Sequence, residues 1–392
     1  MAECVVVGGA RTAFGKFGGV FKSVGAVELG GIAIRGALKQ AGADPAEVEE
    51  VIMGMALQAG AGQLPSRQAA HLAGLDWQVR TETVNKVCAS GMRSLTMAAQ
   101  IIRAGDADVL VAGGMESMSQ VPYALTDARW GMRMDDGKVV DLLLRDGLRC
   151  AFHKVHMGDL ADRIAAERGI TRARQDEWAL RSHMLAIEAS EQGRFAEEIV
   201  PVSLPGGALA AVDTDEAPRP NTSLEKLAGL RPVFTKGGTI TAGNAPGIND
   251  GAAALVVMSK DKAVREGYTP RASIIGHASV SVEPQYYPVA PGFAIQKLLQ
   301  QTSIPLGNID LFEINEAFAS VVLASGDLVG WDEDKVNVCG GAIALGHPIG
   351  ASGARIAVTL IHALRHRGGG LGIAAICSGG GQGDAVLVRV DG

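Results

Sequence analysis

The feature that most restricts what this chain can fold into is a repeat of order. Ser90-Gly91-Met92-Arg93 opens a helical pattern that ends at Gly105 and leads to a β-rich run, Val109–Ala112, and then Gly113-Gly114. Ser352-Gly353-Ala354-Arg355 opens another that ends near Gly368 and leads to Leu371–Ile376, then Cys377 and Gly379-Gly380-Gly381. Either short match alone is weak. Because the whole order of turn, helix, strand and glycines recurs, the chain reads as two halves of one duplicated fold.

Further β-rich runs at Cys4–Val7, Val51–Met53, Ala253–Val257 and Asp310–Ile314 alternate with helical patterns, which predicts a layered α/β architecture. Between about 119 and 249 the texture changes. Polar helices at Asp159–Glu167 and Arg174–Glu191 precede a Gly/Pro/Asp-rich tract, Leu204–Asn221, so this block reads as an insertion. The expected divisions are 1–118 for the first half, completed by about 250–271, then 119–249 for the insertion and 272–392 for the second half.

With 392 residues the chain has room for two or three domains and a large core. Its 52 glycines are about twice the usual ~7% share, so many backbone positions must be tight or closely approached. The net charge is −6 and the basic residues are scattered, which gives no nucleic-acid footprint. The longest uncharged stretch of membrane-like length, Val336 to Ala354, is interrupted by Asn337, His347 and Pro348 and cannot span a bilayer. The first residues lack a basic region followed by a sustained apolar one, so they read as a first strand rather than a signal peptide. A cytoplasmic protein is expected. Cysteines at 4, 88, 150, 339 and 377 form no C-x-x-C pair, which argues against disulfides and zinc, and the histidines lack metal-ligand spacing. There is no P-loop and no convincing G-x-G-x-x-G after a strand.

Four places carry residues suited to chemistry. Cys88 follows a strand-like stretch, Glu82–Val87, and precedes a helix with apolar residues at Met92, Leu95, Ala99 and Ile102. At a helix N-terminus, unpaired N–H groups and the dipole favour a thiolate; a small buried hydrophobe is the competing reading. His347 lies in the glycine-rich run Gly340–Gly350, where an imidazole can take a thiol proton. Cys377 ends a strand and enters Ser378-Gly379-Gly380-Gly381, whose bare N–H groups can receive an oxyanion. Asn315-Glu316-Ala317-Phe318 follows the strand Asp310–Ile314, with an amide able to orient water or a carbonyl and a ring able to line a pocket.

Taken together, Val84 to Gly91 around Cys88, Asn315-Glu316-Ala317-Phe318, Gly341 to Gly350 with His347, and Cys377-Ser378-Gly379-Gly380-Gly381 resemble the thiolase family. The order and spacing run the full length of the chain. Arg11-Thr12-Ala13-Phe14-Gly15, Gly113 to Ser119, His156-Met157-Gly158 and Thr241-Ala242-Gly243-Asn244 add to the likeness. The resemblance implies a duplicated thiolase fold, two βαβαβαββ halves with an inserted loop domain that covers CoA, assembled as a homodimer or homotetramer. It implies reversible CoA-dependent Claisen chemistry on acetyl-CoA, acetoacetyl-CoA or other 3-ketoacyl-CoA, with CoA as substrate and product and no permanently bound cofactor.

Position by position, Cys88 matches the acyl-accepting nucleophile, His347 the base that activates it, and Cys377 the acid/base at the α-carbon and the CoA thiol. Asn315 would hold a water that forms one oxyanion hole with His347, and the N–H groups of Cys88 and Gly379 would form the other. Arg219 matches a contact to the nucleotide end. His156, Met157, Ala317 and Phe318 match the pantetheine and acyl pocket. His156-Met157-Gly158 points to short-chain members; a longer-chain 3-ketoacyl-CoA thiolase and, remotely, a noncatalytic CoA- or lipid-binding paralogue are the alternatives. Departures from the family pattern are Pro246, where a serine usually contacts pantetheine, Tyr287 in a stretch that commonly carries a pocket methionine, and Cys339 where asparagine is common.

Overall fold

The computed structural model describes residues 2–204 and 211–392; positions 205–210 of the Gly/Pro/Asp-rich tract lie outside the described residues. The principal elements are β1 (Cys4–Thr12), α1 (Ala26–Ala41), β2 (Glu50–Gly54), β3 (Arg80–Val84), α2 (Ser90–Ala104), β4 (Val109–Ser117), α3 (Met157–Glu167), α4 (Arg172–Glu191), β5 (Asn249–Ser259), β6 (Ala272–Ser281), α5 (Ala290–Thr302), β7 (Leu311–Ile314), α6 (Ile349–His366), β8 (Gly370–Ser378) and β9 (Gln382–Val390).

Among the described residues the main sheet runs β7-β8-β9-β6-β1-β5-β4-β2-β3. Its centre is the antiparallel pair β1–β6, with Cys4 opposite Ile274. From that centre both directions repeat one scheme. On one side β1–β5 and β5–β4 are antiparallel, then β4–β2 and β2–β3 are parallel. On the other, β6–β9 and β9–β8 are antiparallel and β8–β7 is parallel; the fifth member has shrunk to one parallel bridge between Phe312 and Val336. Even the irregularities correspond, since the register shifts between Val6 and Gly8 in β1 and between Ile274 and Gly276 in β6. A β-bulge adds local twist, and here the same twist is added once per half.

Side-chain alternation along the strands builds the layers. Val5, Val51, Val111 and Val256 point one way, onto α1. Val6, Ile52, Leu110 and Leu255 point the other way, against Leu95 and Ile102 of α2, Ile356 and Leu360 of α6, and Ala374 and Val386 of the second half. The opposite face of that half, with Phe312, Ile373 and Leu387, packs on Ile295 and Leu298 of α5 and on the helix Ala319–Val329. Both faces of the central strands are therefore covered, which is why β1, β2, β4, β5 and β8 contain near-continuous apolar runs. Helices α2 and α6 lie between the half-sheets and touch backbone to backbone. A Cβ on Gly353 would stand 2.3 Å from the Met92 nitrogen, and one on Gly91 2.7 Å from the Ala354 nitrogen.

The strand expected over Glu82–Val87 stops at Val84. Val87 has φ +47°, a left-handed conformation unfavourable for a β-branched residue, so the chain turns sharply just before Cys88. No helix among the described residues is long and apolar enough to cross a membrane, and no group of three or more His, Cys, Asp or Glu among them could hold a metal ion.

Candidate active site

A cavity of about 300 Å³ opens where the first turns of α2 and α6 meet the end of β8. Cys88, His347, Cys377 and Gly379 line it together with His156, Met157, Pro246, Tyr287, Ala317 and Phe318. Ten of the twelve residues singled out from the sequence thus share one space. Asn315 and Arg219 do not line it. Asn315 is fully buried at the end of β7, and neither end of its amide has a partner among the described residues. Arg219 is exposed, and its guanidinium donates to the Ala242 carbonyl at 3.2 Å.

The turn that carries Cys88 is braced from several sides. Asn85 accepts the Val87 N–H through Oδ1 at 3.0 Å and donates through Nδ2 to the Ala56 carbonyl at 3.1 Å. The Ser378 hydroxyl donates to the Lys86 carbonyl, tying the end of β8 to the Cys88 turn. Lys86 also pairs with buried Asp384 at 2.7 Å.

A thiolate at the helix start is not what the resting site holds. Burial pushes the Cys88 thiol up to about 12, against the opposite pull of the Gly379 and Cys88 backbone N–H groups. A helix terminus contributes about 0.3–1 kcal/mol in favour of an anion, up to ~2 in partly buried geometry. Desolvation in this apolar cavity exceeds that, so the unliganded residue is a thiol. Cys377 is likewise held well above the ordinary thiol range, by burial first and the nearby Cys88 second.

His347 is fixed in orientation and tautomer. Its backbone N–H donates to Asn249 Oδ1 at 3.0 Å, and Asn249 Nδ2 donates in turn to the Gly15 carbonyl. Gly346 before it adopts φ +113°, and a Cβ there would meet the Asn249 side chain at 2.6 Å, so glycine is required. Nδ1 lies 2.6 Å from Ser352 Oγ, and that hydroxyl lies 2.9 Å from the Pro348 carbonyl. A hydroxyl has one proton. Ser352 gives it to the carbonyl, so Nδ1 carries the imidazole proton and Nε2 keeps its lone pair. Nε2 is buried with no partner among the described residues. Burial, and then Arg355, depress His347 to about 3, so the ring is neutral.

One wall of the cavity is built on α3. His156 caps that helix, accepting the Gly158 N–H at Nδ1 while Asp159 accepts the His156 N–H. Its ring stacks on Phe234 at 4.4 Å, and Phe234 meets Phe318 edge-on at 5.8 Å. Tyr287 is buried, and its hydroxyl donates to the Met157 carbonyl at 2.9 Å, leaving the cavity an aromatic wall. Pro246 has no N–H to offer there.

Two buried carboxylates escaped the sequence reading. Glu316 accepts from Trp178 Nε1, Ser182 Oγ, Asn337 Nδ2 and the Ile343 N–H, and so binds the Asn315–Phe318 turn to α4 and to the histidine loop. Glu116 accepts three backbone N–H groups, from Ala56, Leu57 and Gly350. Each lies inside a stretch quoted for the resemblance, Gly113 to Ser119 and Asn315 to Phe318, but no local pattern marks the partners of its carboxylate.

Comparison with known proteins gives the family. The family model described as thiolase, N-terminal domain, matches residues 4–261, and that described as thiolase, C-terminal domain, matches 268–390. An acetyl-CoA acetyltransferase of Escherichia coli is 52% identical over 391 residues, covering 99% of each chain. One from Cupriavidus necator is 49% identical, covering 99% of this chain and 100% of that one. A probable acetyl-CoA acyltransferase of Staphylococcus aureus is 47% identical, covering 99% of both. The crystal structure of the Bacillus anthracis acetyl-CoA acetyltransferase superposes with a TM-score of 0.97 at 43% identity, covering 100% of this chain and 99% of that one. With its duplicated sheet, its two cavity cysteines and its glycine-flanked histidine, the chain belongs to the thiolase family.

Proposed function

We propose that this chain catalyses the reversible, CoA-dependent conversion of two acetyl-CoA to acetoacetyl-CoA plus CoA through an acyl-Cys88 intermediate. The observation that carries the reading is the meeting of two thiols, one neutral imidazole with a free Nε2 and the Gly379 loop in one apolar cavity.

In the cleavage direction Nε2 of His347 takes the Cys88 proton as the sulfur attacks the 3-keto carbon. The resulting oxyanion is received by donors fixed in advance, which is worth far more in a dry cavity than in water. The bond between C2 and C3 then breaks, leaving acetyl-Cys88 and the enolate of acetyl-CoA. Cys377, at rest a thiol, protonates that enolate and becomes a thiolate. It next removes the proton of an incoming CoA thiol, whose sulfur takes the acetyl group from Cys88; Cys88 leaves as a thiolate and takes its proton back from His347, which returns the site to its starting state. Asn315, buried with its amide unpartnered, supports a water-held oxyanion site with His347; the N–H groups of Cys88 and Gly379 serve the other.

The reading extends to binding. Residues 119–249 form the loop domain over CoA, with Arg219 toward the nucleotide and His156, Met157, Pro246, Ala317 and Phe318 along pantetheine and acyl group. Tyr287 occupies cavity wall with its hydroxyl already engaged, which supports a short acyl chain. CoA is substrate and product rather than a resident cofactor, and the protein works as a cytoplasmic homodimer or homotetramer. The deciding experiment is CoA-dependent thiolysis of straight-chain 3-ketoacyl-CoA esters from four carbons upward, with Cys88→Ala as blank. Activity confined to acetoacetyl-CoA supports the reading. Equal or greater rates on longer chains replace it with a broad-range 3-ketoacyl-CoA thiolase, and inactivity on all of them leaves a binding protein.

A further inference from the structure

Cys88 and His347 sit on turns from different halves of the chain, and their separation depends on what joins those turns. A continuous chain of hydrogen bonds does so. The Val87 N–H donates to Asn85 Oδ1 at 3.0 Å, Asn85 Nδ2 to the Ala56 carbonyl at 3.1 Å, and the Ala56 N–H to Glu116 Oε2 at 3.0 Å. The same Oε2 accepts the Gly350 N–H at 2.9 Å, three residues beyond His347, and Oε1 accepts the Leu57 N–H at 3.1 Å. Glu116 is fully buried on β4, and a Cβ on Gly350 would stand 2.7 Å from its Oε2, so the contact is as close as a backbone without a side chain permits.

We propose that Glu116 is a positioning residue that sets the distance between the nucleophile and its base by clamping the loop after β2 to the first turn of α6. Three N–H donors meet the two oxygens of one carboxylate, an arrangement only the ionised form completes. A protonated carboxyl has lost acceptor capacity and gained a donor with nothing to receive it among those groups. The inference rests on the proposed acyl-Cys88 reading for its activity test, though its geometry does not.

The clamp has a pH signature. Burial pushes Glu116 up to about 7, against the three N–H bonds, and Asp250 on the adjoining β5 pushes the same way. The groups facing it are the Cys88 thiol from the nucleophile turn, the Asp250 carboxylate held by Ser119, and backbone N–H groups from the 55–57 loop and α6. His347 is depressed to about 3 and Cys88 raised to about 12, so neither titrates near neutrality. Activity should therefore fall as pH drops through about 7, where Glu116 takes up its proton.

Glu116→Gln keeps the size but places an NH2 against N–H donors. The expected result is a kcat reduced on the order of 10²-fold, as for a misplacement of about 1 Å. KM for acetoacetyl-CoA should change only a few-fold, and the limb near pH 7 should disappear from the kcat profile. Alkylation of Cys88 by iodoacetamide at pH 8, followed by mass spectrometry, should slow in parallel because the base no longer meets the thiol. Wild-type kcat in the variant, or a retained limb near pH 7, overturns the proposal. If Glu116→Gln does not accumulate as folded protein, Asn85→Ala cuts the same chain at an exposed link; it should lower kcat several-fold and slow alkylation, and unchanged values for both overturn the clamp. Should the wild type show no thiolysis at all, the acyl-transfer reading fails, while the alkylation comparison still tests the clamp.

Discussion

The serine that opens each central helix shows how far the two halves have diverged on one scaffold. In the first half Ser90 Oγ accepts the Lys86 N–H and donates to the Val87 carbonyl, so it shapes the backbone of the cysteine turn. In the second half Ser352 Oγ still donates to a carbonyl, that of Pro348, but accepts from the imidazole of His347. One residue holds a strained turn in place, and its counterpart sets a tautomer. The fourth position differs as much. Arg93 reaches Thr96 and Gln100 near the surface, whereas Arg355 is fully buried against Glu313 at 2.6 Å. The glycine between them, Gly91 or Gly353, is unchanged because the helices touch there. Duplication supplied the symmetric contact, and the proposed chemistry draws on positions where the symmetry was lost.

The largest test of that division exchanges the roles of the two thiols. Cys88→Ala should lose acyl-enzyme formation and thiolysis completely, while Cys377→Ala should still be acetylated by acetyl-CoA yet fail to exchange the α-protons with deuterium oxide. An acetylated Cys88→Ala protein, or wild-type exchange in Cys377→Ala, would erase the assigned asymmetry. Next comes the arginine pair. Arg355→Ala removes the buried partner of Glu313 and should cost about 3–5 kcal/mol in urea unfolding. Arg93→Ala should stay within about 0.5 kcal/mol; equal losses would mean the two positions are still equivalent.

The serines sharpen the contrast further. Ser90→Ala leaves the Lys86 N–H unpaired and should lower stability by about 1–3 kcal/mol. Ser352→Ala should be felt mainly in kcat, by ~10–100-fold, because the imidazole loses its orienting partner. A Ser352→Ala enzyme with normal kcat would remove the tautomer argument. The smallest effect is a slope. His347 has its folded value depressed below the ordinary 6.5, so as pH falls through 6.5 the unfolded chain binds a proton the folded one refuses, and stability declines. Replacing His347 with asparagine should flatten that acid-side slope by at most one proton, about 1.4 kcal/mol per pH unit.

What could be read from the sequence follows from how local each signal is. Cys88, His347 and Cys377 announce themselves because each lies beside glycines and a helix start or strand end, all within a few residues. The duplicated halves are legible for the same reason. The strands β6 and β9 go unnamed in that reading because His277, Ser279, Asp384 and Arg389 interrupt their apolar pattern. Glu116 and Glu316 escape because their partners are backbone N–H groups and side chains up to 234 residues away, with no local pattern to mark them. The thiolate expected at Cys88 fails because helix polarity is visible in a sequence, whereas the dryness of the cavity is produced by residues from ten separate segments between Cys88 and Gly379.

The sandwiching of α2 and α6 between the half-sheets also fixes a timetable for synthesis. The apolar face of α2 is completed by residues that begin at Ile349, roughly 245 residues after α2 ends at Ala104. At about 5–20 residues per second, that face waits on the order of 10–50 s before its partner is made. The first half therefore leaves the ribosome with only its own part of the inner layer, and final closure of the molecule, with assembly of the site, belongs to the last stretch of translation.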